Sequence, residues 1–555
     1  MANGAVIVPA LHDMTFPEAL MDVVKKVILM AIAVLTTPSL FAQAGAVSTE
    51  SGKLQGVTQG DVESFKGVPF AAPPVGDLRW RAPQPVQPWS GVRQANAYAA
   101  DCMQVPFPSD AAPLGTAPAE DCLYLNVWRP AGTPADAKLP VMFWIYGGGF
   151  VNGGSSPAVY DGSKFAEKGV VFVSANYRLG RFGFFAFPEL TKEDADGALG
   201  NYGFMDQIAA LKWIQKNITL FGGDPSNVTV FGESAGGFSV SMLLTSPLTK
   251  ELFSKAIIES GGGRTNLGGQ RYLSTALPNG PASAESVGVE FAHSVGIDGT
   301  GKKALDALRR LPAEKVLGNL NMATMAQPGY AGPMIDGSVV VSDPQSVYLA
   351  GAGLRVPIMI GTNSMDIGFG FAQNKDALFA PFGVNREKAM AAYDPTGKGD
   401  LKAVQYTVSM DRFMVEPARF VATVFASGGL PAYEYRFSYV AESMRSKWPG
   451  APHATEIPFV FDTVKAKYGK DLAPDDEKTA ESILSYWVAF AKTGDPSTGN
   501  TPAWPRYAPA SDMLMNFTKK GPVAEADPWK ARLDVTAAYV STSAPSPAPK
   551  PSSRP

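Results

Sequence analysis

Val228-Thr229-Val230-Phe231-Gly232-Glu233-Ser234-Ala235-Gly236-Gly237 is the stretch on which the fold turns. A β-branched and aromatic run ends at Gly232. Small residues then lead into Phe238, Val240, Met242, Leu243 and Leu244, a set suited to a buried helix. The order strand, turn, helix therefore surrounds a G-x-S-x-G motif. With no side chain at 232 or 236, neighbouring backbone can come close, and the serine between them can occupy a sharp, strained turn. Such a turn lifts the Ser234 hydroxyl clear of the sheet. The helix N-terminus lies under it, so the N–H of Ala235 points toward an anion formed there. The competing reading is a Gly/Ser-rich turn without chemistry, and the strand before it and the helix after it argue against that.

Outward from this stretch, short apolar runs alternate with helical ones. Val141–Tyr146, Val170–Ser174, Ala256–Ser260 and Val356–Ile360 read as strands, and Ile208–Ile218 has helical spacing. This alternation predicts an α/β fold, with a central, mostly parallel sheet covered by helices on both faces. Upstream, residues 45–135 alternate β-like runs with Pro-rich turns, and Leu123–Trp128 is a further strand candidate. Between about 264 and 350, helical stretches such as Ala284–Val295 and Lys303–Leu311 carry no flanking strands, and the same holds for about 375–430. Both segments read as helical cap insertions in a single domain spanning 45–540. Beyond Ser541 the Ser/Pro/Ala-rich tail, 541–555, is expected to be disordered.

Residues 1–44 read as a leader. Met21 opens a better export signal than Met1: Lys25 and Lys26 form a basic segment, Val27–Leu35 an apolar one, and Ala42-Gln43-Ala44 a small-x-small cleavage site. Translation from Met21 and removal after Ala44 are expected, which predicts a periplasmic or secreted protein. The apolar run is too short for a transmembrane helix, so no stable membrane insertion is expected.

The 555 residues are 45% hydrophobic and 18% charged, with a net charge of −3 and no long basic run, so nucleic acid is not an expected partner. Cys102 and Cys122 are the two cysteines. They are too few for a Cys-rich zinc site. In an exported chain, two cysteines this close read as one disulfide closing a short loop; a pair of buried thiols is the alternative.

A serine hydroxyl needs a base to become a nucleophile. Three histidines are present: His12 in the leader, His293 in an expected cap helix, and His453 in Gly450-Ala451-Pro452-His453-Ala454-Thr455-Glu456. The chain order Ser, acid, His of this architecture favours His453 by elimination. Many carboxylates lie between Ser234 and His453, and spacing does not choose among them. Asp366 has the best local context, just past the strand ending at Ile360, where a loop at the sheet's C-terminal edge begins. For the oxyanion, Tyr146-Gly147-Gly148-Gly149-Phe150 follows a strand and removes the Cβ atoms that would obstruct close-approaching amides. A phosphate-cradling loop is the rival reading, but no lysine follows at P-loop spacing and G-x-G-x-x-G is not matched.

These motifs together resemble the type-B carboxylesterases, the α/β-hydrolase family that includes the cholinesterases. The resemblance runs over most of the chain. It takes in Phe65-Lys66-Gly67-Val68-Pro69-Phe70-Ala71, Glu120-Asp121-Cys122-Leu123-Tyr124-Leu125-Asn126-Val127 and Asn176-Tyr177-Arg178-Leu179-Gly180. Gly200-Asn201-Tyr202-Gly203 with Asp206-Gln207, Phe221-Gly222-Gly223-Asp224-Pro225, Ile335-Asp336-Gly337 and Trp504-Pro505 continue it. It implies Ser234 as nucleophile, His453 as base, and Gly148, Gly149 and Ala235 as oxyanion donors. Cys102 and Cys122 match the family's first disulfide. Asp366 falls where the family usually has Glu, one methylene longer. Ser260 and Glu456 match a polar pair that supports the histidine loop, and Glu233 is expected to support the site from within the serine motif.

The reading that follows is hydrolysis of small to medium carboxylic esters through an acyl-enzyme, with no metal and no cofactor. An amidase or peptidase, a lipase, and a non-catalytic binding relative on the same scaffold are its rivals. Monomer and homodimer both stay open. Activity is expected to fall as pH drops through about 6.5, the ordinary value for histidine. Cholinesterases place a tryptophan inside the first disulfide loop; here that loop has none, only Phe107, so choline esters are not expected to be preferred.

Overall fold

A computed structural model of the chain describes residues 42–107, 112–193, 199–264, 271–277 and 280–542. The expected leader, apart from 42–44, and nearly all of the expected tail lie outside them. Ala44, the residue before the expected cut, is buried, and its N–H donates to Gly56 O at 3.2 Å.

The body rests on one large sheet. Its strands from Val57 onward are β1 (Val57–Gln59), β2 (Val62–Pro69), β3 (Tyr124–Pro130), β4 (Leu139–Ile145), β5 (Val171–Ala175), β6 (Gly223–Glu233), β7 (Lys255–Glu259), β8 (Ile358–Asn363), β9 (Ala432–Phe437), β10 (Met513–Thr518) and β11 (Gly521–Ala526). In space they lie in the order β1-β2-β3-β5-β4-β6-β7-β8-β9-β10-β11. From β5 to β10 every pairing is parallel, and the outer pairs are antiparallel. The parallel strands are covered on both faces, which is why Val171–Ala175, Lys255–Glu259 and Ile358–Asn363 are buried at every position.

The connections fix where a site can form. From β4 the chain crosses to β5 on one side, whereas β6 pairs with β4 on the other. A crevice opens where such connections diverge, outside the carboxyl ends of the strands. At that edge stand the residues after β4 (Tyr146 onward), after β6 (Ser234), after β7 (Ser260) and after β8 (Ser364 onward). The register sets them level: Gly232 pairs with Ile145, Glu233 with Glu259, and Glu259 with Gly361.

Helix Tyr202–Asn217 precedes β6, and helix Ala235–Thr245 follows it. Helix Pro474–Thr493 packs on β4 and β6. Trp144 on β4 packs with its ring 4.9 Å from those of Phe231 and Phe461. The segment between β7 and β8 carries helices Ala284–Ser294, Lys302–Arg309, Ala313–Leu317 and Pro344–Leu349. The segment between β8 and β9 is helical too, and closes on helix Lys530–Thr542 through a small core of Phe379, Phe382, Tyr393, Val404, Val408 and Val535. Among the described residues no helix is long and apolar enough to cross a membrane.

Candidate active site

Ser234 sits at φ 54°, ψ −121°, between the end of β6 and the first residue of helix Ala235–Thr245. That conformation costs a non-glycine residue about 1–3 kcal/mol, and the surroundings must impose it. They do so through close backbone approach. A Cβ on Gly236 would lie 1.9 Å from Ile145 O, and one on Gly232 2.6 Å from the same oxygen. Ser234 N–H donates to Glu259 O at 2.9 Å, and Ser234 O accepts from Phe238 N–H at 2.8 Å. Ala235 is the first residue of the helix, so its N–H belongs to the first-turn donors that have no acceptor within the helix.

The glycine loop turns sharply after β4. Gly148, Gly149 and Phe150 all have positive φ, at 98°, 64° and 63°. Gly148 O accepts from both Val151 N–H and Asn152 N–H, at 3.2 and 2.9 Å. A Cβ on Gly147 would stand 3.0 Å from Ser234 Cβ, which places this loop directly against the serine. Cys102 and Cys122 are disulfide-bonded. Their loop reaches the glycine loop through Gln104, which accepts from Gly153 N–H at 2.9 Å and donates to Gly153 O at 2.6 Å.

His453 is 20% exposed and contacts two carboxylates. Its Nδ1 lies 2.6 Å from Asp366 Oδ1. Its Nε2 lies 3.1 Å from Glu233 Oε1 and makes no hydrogen bond among the described residues. Asp366 is fully buried and saturated: Oδ2 accepts from Ser260 Oγ at 2.6 Å and Asn363 N–H at 3.0 Å, and Oδ1 from Ile367 N–H at 2.7 Å. Burial pushes its carboxyl up, but the His453 charge and these donors outweigh that and hold it below the ordinary 3.8. Burial pushes the His453 imidazole down, and the charges of Glu233 and Asp366 outweigh it, raising the group above its ordinary 6.5. The condition for an acid limb near 6.5, an unperturbed histidine, is therefore not met.

The loops that carry Asp366 and His453 are joined directly to each other. Met365 bridges Pro452 in parallel fashion, and Met365 N–H donates to Ala451 O at 2.9 Å. Asn363 Nδ2 donates to Pro452 O at 2.6 Å and to Glu456 Oε2 at 2.5 Å. Tyr406 OH donates to the backbone oxygens of Met365 and Asp366. Ser260 and Glu456 thus brace the site from two sides, Ser260 through Asp366 and Glu456 through Asn363.

Sequence reasoning did not find Asn363, Tyr406, Gln104 or Glu259. Glu259 is fully buried beside Glu233 and accepts from Trp487 Nε1–H at 2.7 Å. Burial, with the Glu456 charge, raises its carboxyl well above 4.5, and Glu456 itself is pushed up to about 7, chiefly by burial. The sole sequence signal for Glu259 was its place next to Ser260. His293 stands exposed on helix Ala284–Ser294, 3.9 Å from Asp298, apart from this cluster. His12 lies outside the described residues. Among the described residues, no group of three or more His, Cys, Asp or Glu is placed to hold a metal.

A seryl hydroxyl on a strained turn, an imidazole held by a buried carboxylate, and a glycine loop packed against the serine make a constellation suited to acyl transfer. The chain belongs to the carboxylesterase family, whose model matches residues 43–534. It is 36% identical over 480 residues to para-nitrobenzyl esterase of Bacillus subtilis (strain 168), covering 83% of this chain and 92% of that one. Fumonisin B1 esterase of Sphingopyxis macrogoltabida is 36% identical over 483 residues, 84% of this chain and 85% of its own. Cocaine esterase of Homo sapiens is 33% identical over 490 residues, with shares of 80% and 82%. A solved PNB esterase superposes with a TM-score of 0.73 at 34% identity, over 88% of this chain and 99% of that one. The protein is a carboxylic-ester hydrolase with the α/β-hydrolase fold.

Proposed function

We propose that Ser234 is the nucleophile, His453 the general base and Asp366 the carboxylate that orients it. Ser234 Oγ attacks the ester carbonyl carbon as His453 Nε2 takes its proton. The N–H groups of Gly148, Gly149 and Ala235 receive the tetrahedral oxyanion. His453 then returns the proton to the departing alcohol oxygen. Water repeats the sequence on the acyl-enzyme, which frees the acid and restores the serine. The contact that supports this reading is His453 Nδ1 at 2.6 Å from buried Asp366, which leaves Nε2, without a hydrogen bond among the described residues, available to take a proton. Ser234→Ala assayed on a p-nitrophenyl ester tests it, together with stoichiometric labelling of the wild type by a fluorophosphonate. Turnover near wild type in the mutant, or an unlabelled native enzyme, overturns the assignment.

The relatives are named for fumonisin B1, para-nitrobenzyl esters and cocaine, whose common element for this purpose is the ester group. We infer small to medium carboxylic esters as the substrate class. The Lys25-Lys26 segment, the apolar run after it and the disulfide-bonded cysteine pair support export to an oxidising compartment, periplasmic or extracellular. N-terminal sequencing of the mature protein tests this, with Gly45 as the expected first residue.

A further inference from the structure

Asn176-Tyr177-Arg178 follows β5 and contributes no reacting group to the mechanism above. Its side chains are nevertheless fully engaged. Asn176 accepts from Ser155 N–H at 2.9 Å, and Arg178 makes a two-pronged contact with buried Asp206 at 2.8 Å on each prong. Between them, Tyr177 stacks on Tyr146, with ring centroids 4.5 Å apart and planes 19° from parallel. The two residues exchange hydrogen bonds. Tyr146 OH donates to Tyr177 O at 3.1 Å and accepts from Tyr177 N–H at 3.2 Å; Tyr177 OH donates to Tyr146 O at 2.9 Å. Both rings are buried, and burial holds both hydroxyls in the protonated, donating form.

The acceptor in the last of these bonds matters most. Tyr146 O belongs to the peptide that opens Gly147-Gly148-Gly149, so its direction sets how the loop leaves β4. The same oxygen faces the serine turn: a Cβ on Gly236 would lie 2.9 Å from it. One hydroxyl therefore fixes the peptide at which the glycine loop and the serine turn touch. Gly153 closes the other side, where a Cβ would meet the Tyr146 ring at 2.6 Å.

We propose that Tyr177 is a positioning residue: its hydroxyl orients the Tyr146–Gly147 peptide and thereby holds the Gly148 and Gly149 amides in register with Ala235 N–H. This rests on the acyl-transfer reading given above. The oxyanion exists only in and around the transition state, so a misaligned donor lowers kcat and leaves ground-state binding alone.

The test is Tyr177→Phe, which keeps the stacked ring and removes one donor. The expected result is a fall in kcat of about 10²-fold with KM within twofold of wild type. Affinity for a trifluoromethyl ketone, which forms a tetrahedral adduct, falls by a similar factor. The fraction of sites labelled by a fluorophosphonate at completion stays at one. A kcat within twofold of wild type, or a loss confined to KM, overturns the proposal. If Tyr177→Phe does not fold, 3-fluorotyrosine at 177 keeps ring and hydroxyl and adds one small ortho fluorine, which makes the hydroxyl more acidic and a stronger donor. An altered kcat at constant KM is then expected, and an unchanged kcat overturns it. Native enzyme is labelled in parallel: failure there sinks the acyl-transfer reading, whereas normal labelling with an unaffected variant sinks the positioning role alone.

Discussion

His453 Nε2 lies 3.1 Å from Oε1 of Glu233, the residue immediately before Ser234. The imidazole is thus flanked by anions on both nitrogens, Asp366 at Nδ1 and Glu233 at Nε2. Protonated histidine is favoured by each of them and opposed by burial; the carboxylates prevail. A base must be unprotonated to act, so kcat/KM is expected to rise with pH along a limb centred above 6.5. Glu233→Gln removes one anion and should move that limb to lower pH. A pH–rate profile of both proteins checks this; a native limb at or below 6.5, or a mutant limb moved upward, contradicts it.

The Asp366 contact has consequences for rate and for stability. Asp366→Asn keeps the shape but favours the wrong tautomer at Nδ1, and a loss in kcat of about 10⁴-fold is expected. Asp366→Glu retains the charge on a longer arm and should keep more activity than the amide. For stability, the signs of the two shifts differ. Asp366 is held below 3.8, so its contribution is present above that value and fades as pH falls through the native one. His453 is held above 6.5, so its contribution is complete below that value and fades as pH rises through the native one. The gap in melting temperature between wild type and Asp366→Asn should be widest between 3.8 and 6.5. A gap that grows toward pH 9 would count against this.

The disulfide-bonded loop reaches Gly153, just past the glycine loop, through Gln104. Cys102 and Cys122 are 20 residues apart in sequence, a loop whose closure is worth about 3 kcal/mol through the unfolded chain. The enclosed Gln104 bonds both backbone groups of Gly153. Cys102→Ser with Cys122→Ser should therefore lower the urea midpoint. Gln104→Ala, which leaves the bridge intact, should lower kcat more than it lowers the midpoint. Urea melts and kcat on the same preparations separate the two effects; an unchanged kcat in Gln104→Ala breaks the link between loop and site.

The strands of the parallel centre were legible in the sequence because burial on both faces leaves uninterrupted β-branched and aromatic runs. Val141–Tyr146 was expected and Leu139–Ile145 is found; Val170–Ser174 was expected and Val171–Ala175 is found. The ends shift by one or two residues because hydrogen-bond register, not side-chain type, sets them. The serine turn was readable because all its constraints are local. Contacts such as Asn363 to Glu456, Gln104 to Gly153 and Tyr177 to Tyr146 were not. Each joins positions tens of residues apart through a polar side chain, and such a side chain in isolation looks like any surface or loop residue. The upward shift of His453 was hidden for the same reason, since it depends on two carboxylates brought in by other strands.

The glycine loop is roofed by methionines. A Cβ on Gly149 would stand 3.1 Å from Met325 Sδ and 3.6 Å from Met322 Cγ. Asn152 Oδ1 accepts from Met322 N–H at 3.0 Å and holds this turn in place. Met325 is exposed while lying against the glycine loop, which makes it a candidate for contact with a bound ester. Met325→Ala should raise kcat/KM for bulky esters over small ones by about tenfold, the scale set by one or two methylenes in an apolar pocket. A p-nitrophenyl ester panel of increasing acyl size measures it, and an unaltered ranking would remove Met325 from the substrate's path.

Choline esters give the last test, because the feature at issue is a missing ring. The disulfide-bonded loop carries no tryptophan, and Phe107 within it is half-buried. A quaternary ammonium gains about 0.5–2 kcal/mol over a well-placed indole and less over a phenyl ring. Butyrylcholine should therefore show no advantage in kcat/KM over 3,3-dimethylbutyl butyrate, its uncharged isostere. Phe107→Trp should raise the ratio of the charged to the neutral ester without changing kcat for the neutral one. A native preference for the charged ester of tenfold or more would mean that another aromatic face in the site receives the cation.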